Sequence, residues 1–184
     1  ELSGFFRSKN FTDTARVKSA MKVYVKRCIG SDTFMPISQK CSNRTGLGES
    51  ALAALPTAIL FGFADEQEKL SNWVKRSFTC KKDAYLNVRD VITGPIASLI
   101  SAYSLTGDID FLKLAEECGL SLLPAFANPI PYPFVNGLTG TVRSNPVIGG
   151  TSIAEASGFI LGFQLLSRHT KNPLFKNAVR AFLK

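Results

Sequence analysis

Apolar residues recur along most of the chain at helical rather than strand spacing. Val17, Met21, Tyr24 and Cys28 share one face of a basic segment, predicting an amphipathic helix over 12–27. After a polar loop, 50–63 is nearly all apolar, which predicts a helix buried on most sides. Residues 65–78 are amphipathic, with Leu70, Trp73, Val74 and Phe78 inward. Residues 90–105 are apolar again, and Gly107-Asp108 ends that helix and caps the next. The following helix, 108–123, is amphipathic through Ile109, Phe111, Leu112, Ala115, Cys118 and Leu122. A long Pro/Gly loop covers 124–150. Residues 152–166 are apolar once more, and 172–183 are amphipathic with Pro173 suited to the first turn.

Polar-faced helices therefore alternate with helices buried all round. This is the pattern of helical hairpins in two layers, an all-α class. Thr106…Phe111 and Thr170…Phe175 recur at a spacing of 64, each at a turn from an inner to an outer helix. An ordinary irregular bundle would also alternate to some degree.

Composition narrows the picture. A chain of 184 residues, 45% hydrophobic and 20% charged, fits a single domain with a sizeable core. No transmembrane segment is expected: the longest uncharged stretch, 118–142, contains Pro124, Pro129, Pro131 and Pro133. The net charge is +8, and residues 1–44 hold nine Lys/Arg against Glu1, Asp13 and Asp32. Basic residues are not interleaved with aromatics in any known motif, so no nucleic-acid partner is expected. A solvated basic face, or docking onto an acidic partner, accounts for the charge. One histidine and no C-x-x-C pair exclude a zinc site, and no metal ligands are assigned. Of the four cysteines, Cys28 and Cys41 flank a short loop and are expected to bridge. The four cysteines allow three pairings into two disulfides, so Cys80 and Cys118 are candidates as well, with a buried free thiol the alternative for Cys118. Asn10-Phe11-Thr12 and Asn43-Arg44-Thr45 are sequons, glycosylated if the chain enters the secretory pathway. The first residue is Glu1, consistent with removal of a leader.

One long stretch carries more than pattern. Residues 86–108 read LNVRDVITGPIASLISAYSLTGD, followed by Leu122–Phe126, Pro131-Tyr132, Val135-Asn136, Ala154-Glu155, Phe163 and Ser167-Arg168. In this order and spacing they resemble the class I α-1,2-mannosidases, glycoside hydrolase family 47. The resemblance runs over 17–184, with 1–11 as an N-terminal extension of a single domain spanning 1–184. It implies a partial α/α barrel, about half of a seven-hairpin ring. A ring cut there would expose apolar inner helices along two open edges, so another polypeptide is expected to cover them.

The same resemblance implies an inverting hydrolysis, with one carboxyl as general acid and a second activating water. Asp90 stands where the family has its proposed acid, a glutamate. Its bland alternative is a helix N-terminal carboxylate. Four residues on, Gly94 replaces a substrate-contacting arginine. The family's DALDT becomes Ala53-Ala54-Leu55-Pro56-Thr57, Pro95 interrupts the Asp90 helix, and Gly162 replaces the glutamate of LEF, which lines the sugar site. Glu155, Asn136 and Arg168 remain as substrate-binding candidates, Glu155 having a solvated helix-end reading as well. His169 reads as a surface turn residue. The family's second carboxylates and its calcium-anchoring threonine lie beyond residue 184. No cofactor is therefore expected in this chain, and calcium only if the missing half is supplied. The expected role is a mannosidase-like pseudoenzyme, a structural or interaction subunit of the secretory pathway (endoplasmic reticulum lumen, secreted, or membrane-associated). The alternatives are the N-terminal part of a calcium-dependent inverting α-1,2-mannosidase trimming N-glycans, and a lectin whose partners are N-linked mannose glycans.

Overall fold

The structure, a computed structural model, describes residues 14–184. The sequon at Asn10 and the 1–11 extension lie outside the described residues. The chain divides into two compact units, one running up to Phe78 and including Ser101–Asp108, the other Thr79–Ile100 with Ile109–Lys184.

In the first unit, helix α1 (Thr14–Cys28) buries Met21, Tyr24, Val25 and Cys28 and turns its basic side outward. A hairpin of β1 (Thr33–Met35) and β2 (Lys40–Ser42) follows, with Phe34 opposite Cys41. Cys41 is bridged to Cys28. Helices α2 (Glu49–Phe61) and α3 (Ala64–Ser77) form the next pair. Gly62, at φ 70, ends α2 in the left-handed conformation, which turns the Phe63 N–H back to the Ala58 carbonyl at 2.9 Å. Leu52, Leu55, Ala58, Leu70 and Val74 make the core of this hairpin. Trp73 fits because Gly30 and Gly48 lack side chains: a Cβ there would stand 2.4 and 2.1 Å from the indole.

In the second unit, β3 (Tyr85–Asn87) leads into α4 (Val88–Val91), a π-turn (Ile92–Ile96) and α5 (Ala97–Thr106), whose last residues belong to the first unit. Pro95 sits inside the π-turn. A proline has no N–H to offer and its ring crowds the preceding turn; one extra residue in the turn relieves both, so the helix widens rather than stops. Helix α6 (Ile109–Leu122) carries Cys118, bridged to Cys80 rather than buried as a free thiol. Gly119 brings Leu166 and Phe175 to within 2.6 and 2.8 Å of where a Cβ would be. Helices α7 (Ile153–Ser157), α8 (Ile160–Thr170) and α9 (Pro173–Phe182) follow. Phe126, Phe159, Phe163, Phe175 and Phe182 meet edge-on or tilted and form the aromatic core of this unit.

Three expectations change. The helix at 152–166 breaks at Gly158, leaving Ile153 88% and Leu161 68% exposed. Ile109, placed inward from sequence, is 49% exposed at the first position of α6. The 124–150 loop holds β4 (Phe134–Asn136) and β5 (Val142–Arg143), which join β3 in an antiparallel sheet with Leu86 opposite Val135. No helix among the described residues is long and apolar enough to cross a membrane.

Candidate functional site

Asp90 and Glu155 occupy the same local position: each is the third residue of a short capped helix. Asn87 caps α4, its Oδ1 accepting the Asp90 N–H at 3.0 Å. Ser152 caps α7, its Oγ accepting the Glu155 N–H at 3.2 Å. Carboxylates in a first turn also face the positive end of the helix dipole. The two then diverge by one methylene. Glu155 reaches back to its own cap, Oε2 accepting from the Ser152 N–H at 3.1 Å and Oγ at 3.0 Å. Asp90 is engaged instead by its neighbour: Arg89 donates Nε and Nη2 to Oδ1 at 3.2 and 2.9 Å.

Glu155 Oε1 takes up the remaining local donors. Asn145 Nδ2 reaches it at 3.1 Å and Asn87 Nδ2 at 3.5 Å, so Asn87 touches both helix starts. Partial burial opposes the charged form of Glu155, but the Ser152 N–H and hydroxyl, with the Asn145 and Asn87 amides, outweigh it. Its carboxyl is held below the usual range.

Beside these caps two glycines are closely packed. A Cβ on Gly158 would stand 2.4 Å from Arg89 Cγ, and one on Gly162 would stand 2.3 Å from Ile92 Cγ2. The two glycines, four apart on the chain, thus receive Arg89 and Ile92, and Ile92 is fully buried. A Cβ on Gly94 would meet nothing within 4 Å.

The other two candidates are elsewhere. Asn136 is 6% exposed, and its side chain joins the segment before β3 to the loop after β4. Nδ2 donates to Asp83 at 2.8 Å, while Oδ1 accepts the Leu138 and Thr139 N–H groups at 3.0 Å. Arg168 is exposed in the last turn of α8. It lines a groove of about 500 Å³ with Gln164, Ser167, Lys176, Val179 and Arg180. His169 is half-buried in the same last turn. The structure therefore brings together Asp90 and Glu155, through Asn87, and neither Asn136 nor Arg168 joins them by a hydrogen bond. Sequence reasoning missed Arg89 and Asn145. Arg89 beside a motif aspartate was a usable signal; nothing local marks Asn145.

A more deeply buried carboxylate lies outside this site. Asp32, 3% exposed, accepts Arg44, Thr45 and Gly46 N–H groups on Oδ2 at 2.8, 2.7 and 2.8 Å, and Gly48 N–H on Oδ1 at 2.8 Å. Burial pushes its pKa up, yet these donors more than reverse that and bring it from 3.8 down to about 2. An acid saturated by N–H donors is not a cation ligand. Among the described residues no three His, Cys, Asp or Glu side chains come together in a group that could hold a metal ion.

The chain has clear relatives. A sequence profile of glycosyl hydrolase family 47 matches residues 16–184. The chain is 36% identical over 162 residues to the endoplasmic reticulum mannosyl-oligosaccharide 1,2-alpha-mannosidase of Homo sapiens, covering 87% of this chain and 23% of that protein. It is 33% identical to the Sus scrofa mannosyl-oligosaccharide 1,2-alpha-mannosidase IA, covering 94% of this chain and 28% of that one. The solved alpha-1,2-mannosidase from Trichoderma reesei superposes with a TM-score of 0.79 at 26% identity, over 93% of this chain and 39% of its own. The fold is accordingly a partial α/α barrel of helical hairpins, and the chain spans about a quarter of the length of the curated relatives it matches.

Proposed function

This chain belongs to glycosyl hydrolase family 47, and we propose that within it the chain is a mannosidase-like pseudoenzyme, a structural or interaction subunit of the secretory pathway. The observation that carries this reading is the packing of Arg89 and Ile92 onto Gly158 and Gly162. Where the resemblance implies a sugar-lining glutamate, a buried isoleucine fills the space. An inverting acid must be free to protonate a leaving oxygen, and a substrate-binding carboxylate must have an oxygen to offer the sugar. Asp90 is tied to Arg89 through two nitrogens, and both Glu155 oxygens are engaged. Asp90 is also one methylene short of a glutamate; a misplacement of about 1 Å costs on the order of a hundredfold in rate.

Two disulfides and the compartment named for the human relative support the secretory placement. We propose no resident cofactor on this chain's own residues; calcium would require oxygen donors from further polypeptide. Val147 at 89%, Ile153 at 88% and Leu161 at 68% exposure support a second polypeptide packing on this unit. The Asn87 and Asn145 amides beside Glu155 favour one second reading, a lectin that binds N-linked mannose glycans without cleaving them.

The test is release of mannose from an α-1,2-linked mannobiose by the protein purified from its source, alongside Asp90→Asn. The expected result is no release above background from either. Release that disappears in the variant, or on chelation, overturns the pseudoenzyme and reinstates a calcium-dependent mannosidase trimming N-glycans. Binding of mannose glycans without release selects the lectin.

A further inference from the structure

Asn43 opens the loop that closes on Asp32, and the two ends of its amide are used differently. Oδ1 accepts the Asp32 backbone N–H at 3.0 Å, and a donor partner fixes which amide atom is the oxygen. Nδ2 has no hydrogen-bond partner among the described residues, and the side chain is exposed. Two residues on, the hydroxyl that completes the sequon is not available. Thr45 Oγ1 is half-buried, 3.1 Å from both Asp32 Oδ2 and Glu49 Oε1, and the Thr45 N–H is itself bound to Asp32. Cys41, just upstream, is bridged to Cys28, which fixes the strand feeding this loop.

We propose that Asn43 is an N-glycosylation site that is modified before the 43–49 loop closes on Asp32. The folded loop then keeps the sugar, because folding uses Oδ1 and attachment uses Nδ2. The co-reactant is a lipid-diphosphate-linked oligosaccharide. Asn43 Nδ2 bonds to the anomeric carbon, the bond from that carbon to the diphosphate oxygen breaks, and the lipid diphosphate leaves with the electron pair. One Nδ2 proton is lost, and nothing is oxidised or reduced. The amide oxygen remains an acceptor for Asp32, so the loop gains a glycan without losing a hydrogen bond. The inference rests on the secretory placement, not on the absence of hydrolysis, and its readout is independent of mannose release.

The experiment sends the full chain through the secretory pathway of cultured eukaryotic cells behind a cleavable signal, then maps its peptides. The Asn43 peptide is expected to carry a glycan mass, and enzymatic deglycosylation should convert that residue to Asp. Thr45→Ser should retain the glycan and Thr45→Ala lose it. Asn43→Asp, which keeps the oxygen acceptor, should be secreted folded with no glycan on that peptide. An unmodified Asn43 peptide in the secreted wild type overturns the site. For the order of events, unglycosylated protein is offered to microsomal membranes either folded and bridged or reduced and unfolded. Only the unfolded chain should be modified; equal modification of the folded chain overturns the claim that attachment precedes closure.

Discussion

Asp32 and the Asp90–Glu155 pair are both carboxylate centres, and they are built on opposite terms. Asp32 is almost sealed from water and collects N–H donors from a loop more than ten residues away in sequence. Asp90 and Glu155 are half-exposed and held by partners within their own caps, with only the Asn87 and Asn145 amides arriving from farther off. In the first region the charge organises backbone that would otherwise have unpaired N–H groups. In the second it finishes helix ends that would form without it. The buried carboxylate is held by a distant loop, and the motif-bearing carboxylates are held mainly by their neighbours.

Removing each carboxylate tests that contrast most severely. Asp32→Ala leaves several loop N–H groups without an acceptor and should cost about 3–5 kcal/mol in denaturant titration. Glu155→Ala removes one side of a capping box and should cost about 1 kcal/mol. Equal losses would break the comparison. The pH dependence sharpens it. A folded pKa of about 2 against an ordinary 3.8 is a depressed value, so the stabilisation is present above about pH 4 and is lost as pH falls toward 2. At about 1.4 kcal/mol per pKa unit this is on the order of 2 kcal/mol. Asp32→Asn should be less stable at neutral pH and nearly flat over that window.

The second region is broken differently, by restoring what the family resemblance implies. Gly162→Glu places a Cβ against Ile92 Cγ2, a buried side chain with no free space to enter. It should destabilise by about 1–3 kcal/mol through overpacking, read as a lowered Tm. Adding Ile92→Ala should recover part of that loss. If Gly162→Glu is neutral, the space is not committed to packing, and the argument against a sugar subsite weakens.

Much of this was legible in the chain, for physical reasons that differ by element. The long helices were, because ten or more residues give periodicity room to register. The strands were not: β3, β4 and β5 are three, three and two residues, too short for alternation to be seen. The π-turn around Pro95 and the break at Gly158 depend on what packs beside them, which a single segment does not encode. Cys28 and Cys41 flank one short loop and could be paired by position; the Cys80–Cys118 bridge, across 38 residues, could not be told from a buried thiol. At the site, Asp90 and Glu155 were found from motif position, whereas the engagement of Asp90 by Arg89 needed side-chain geometry. Asn136 was named from the motif too, and its partners, Asp83 before β3 and the Leu138 and Thr139 N–H groups after β4, likewise needed side-chain geometry.

The recurrence at Thr106 and Thr170 has a structural cause that allows the mildest test, one separating backbone strain from contacts. Each threonine hydroxyl donates to a carbonyl four residues back, Ala102 or Leu166, at 2.7 and 2.8 Å. Each then accepts the N–H two residues on, from Asp108 or Asn172, at 3.2 Å. Between them the chain turns left-handed, at Gly107 with φ 74 and at Lys171 with φ 62. The hydrogen bonds match, so the turns differ mainly in whether a Cβ occupies the left-handed conformation. Lys171→Gly should therefore stabilise by about 0.5–1 kcal/mol, after allowing for the greater freedom glycine has when unfolded. Gly107→Lys should cost a similar amount, because a Cβ there would meet nothing within 4 Å and only the backbone can object. Opposite signs in paired denaturation curves would assign the effect to conformation alone. Two changes of the same sign would mean the turns are held by contacts, as the Asp32 loop is.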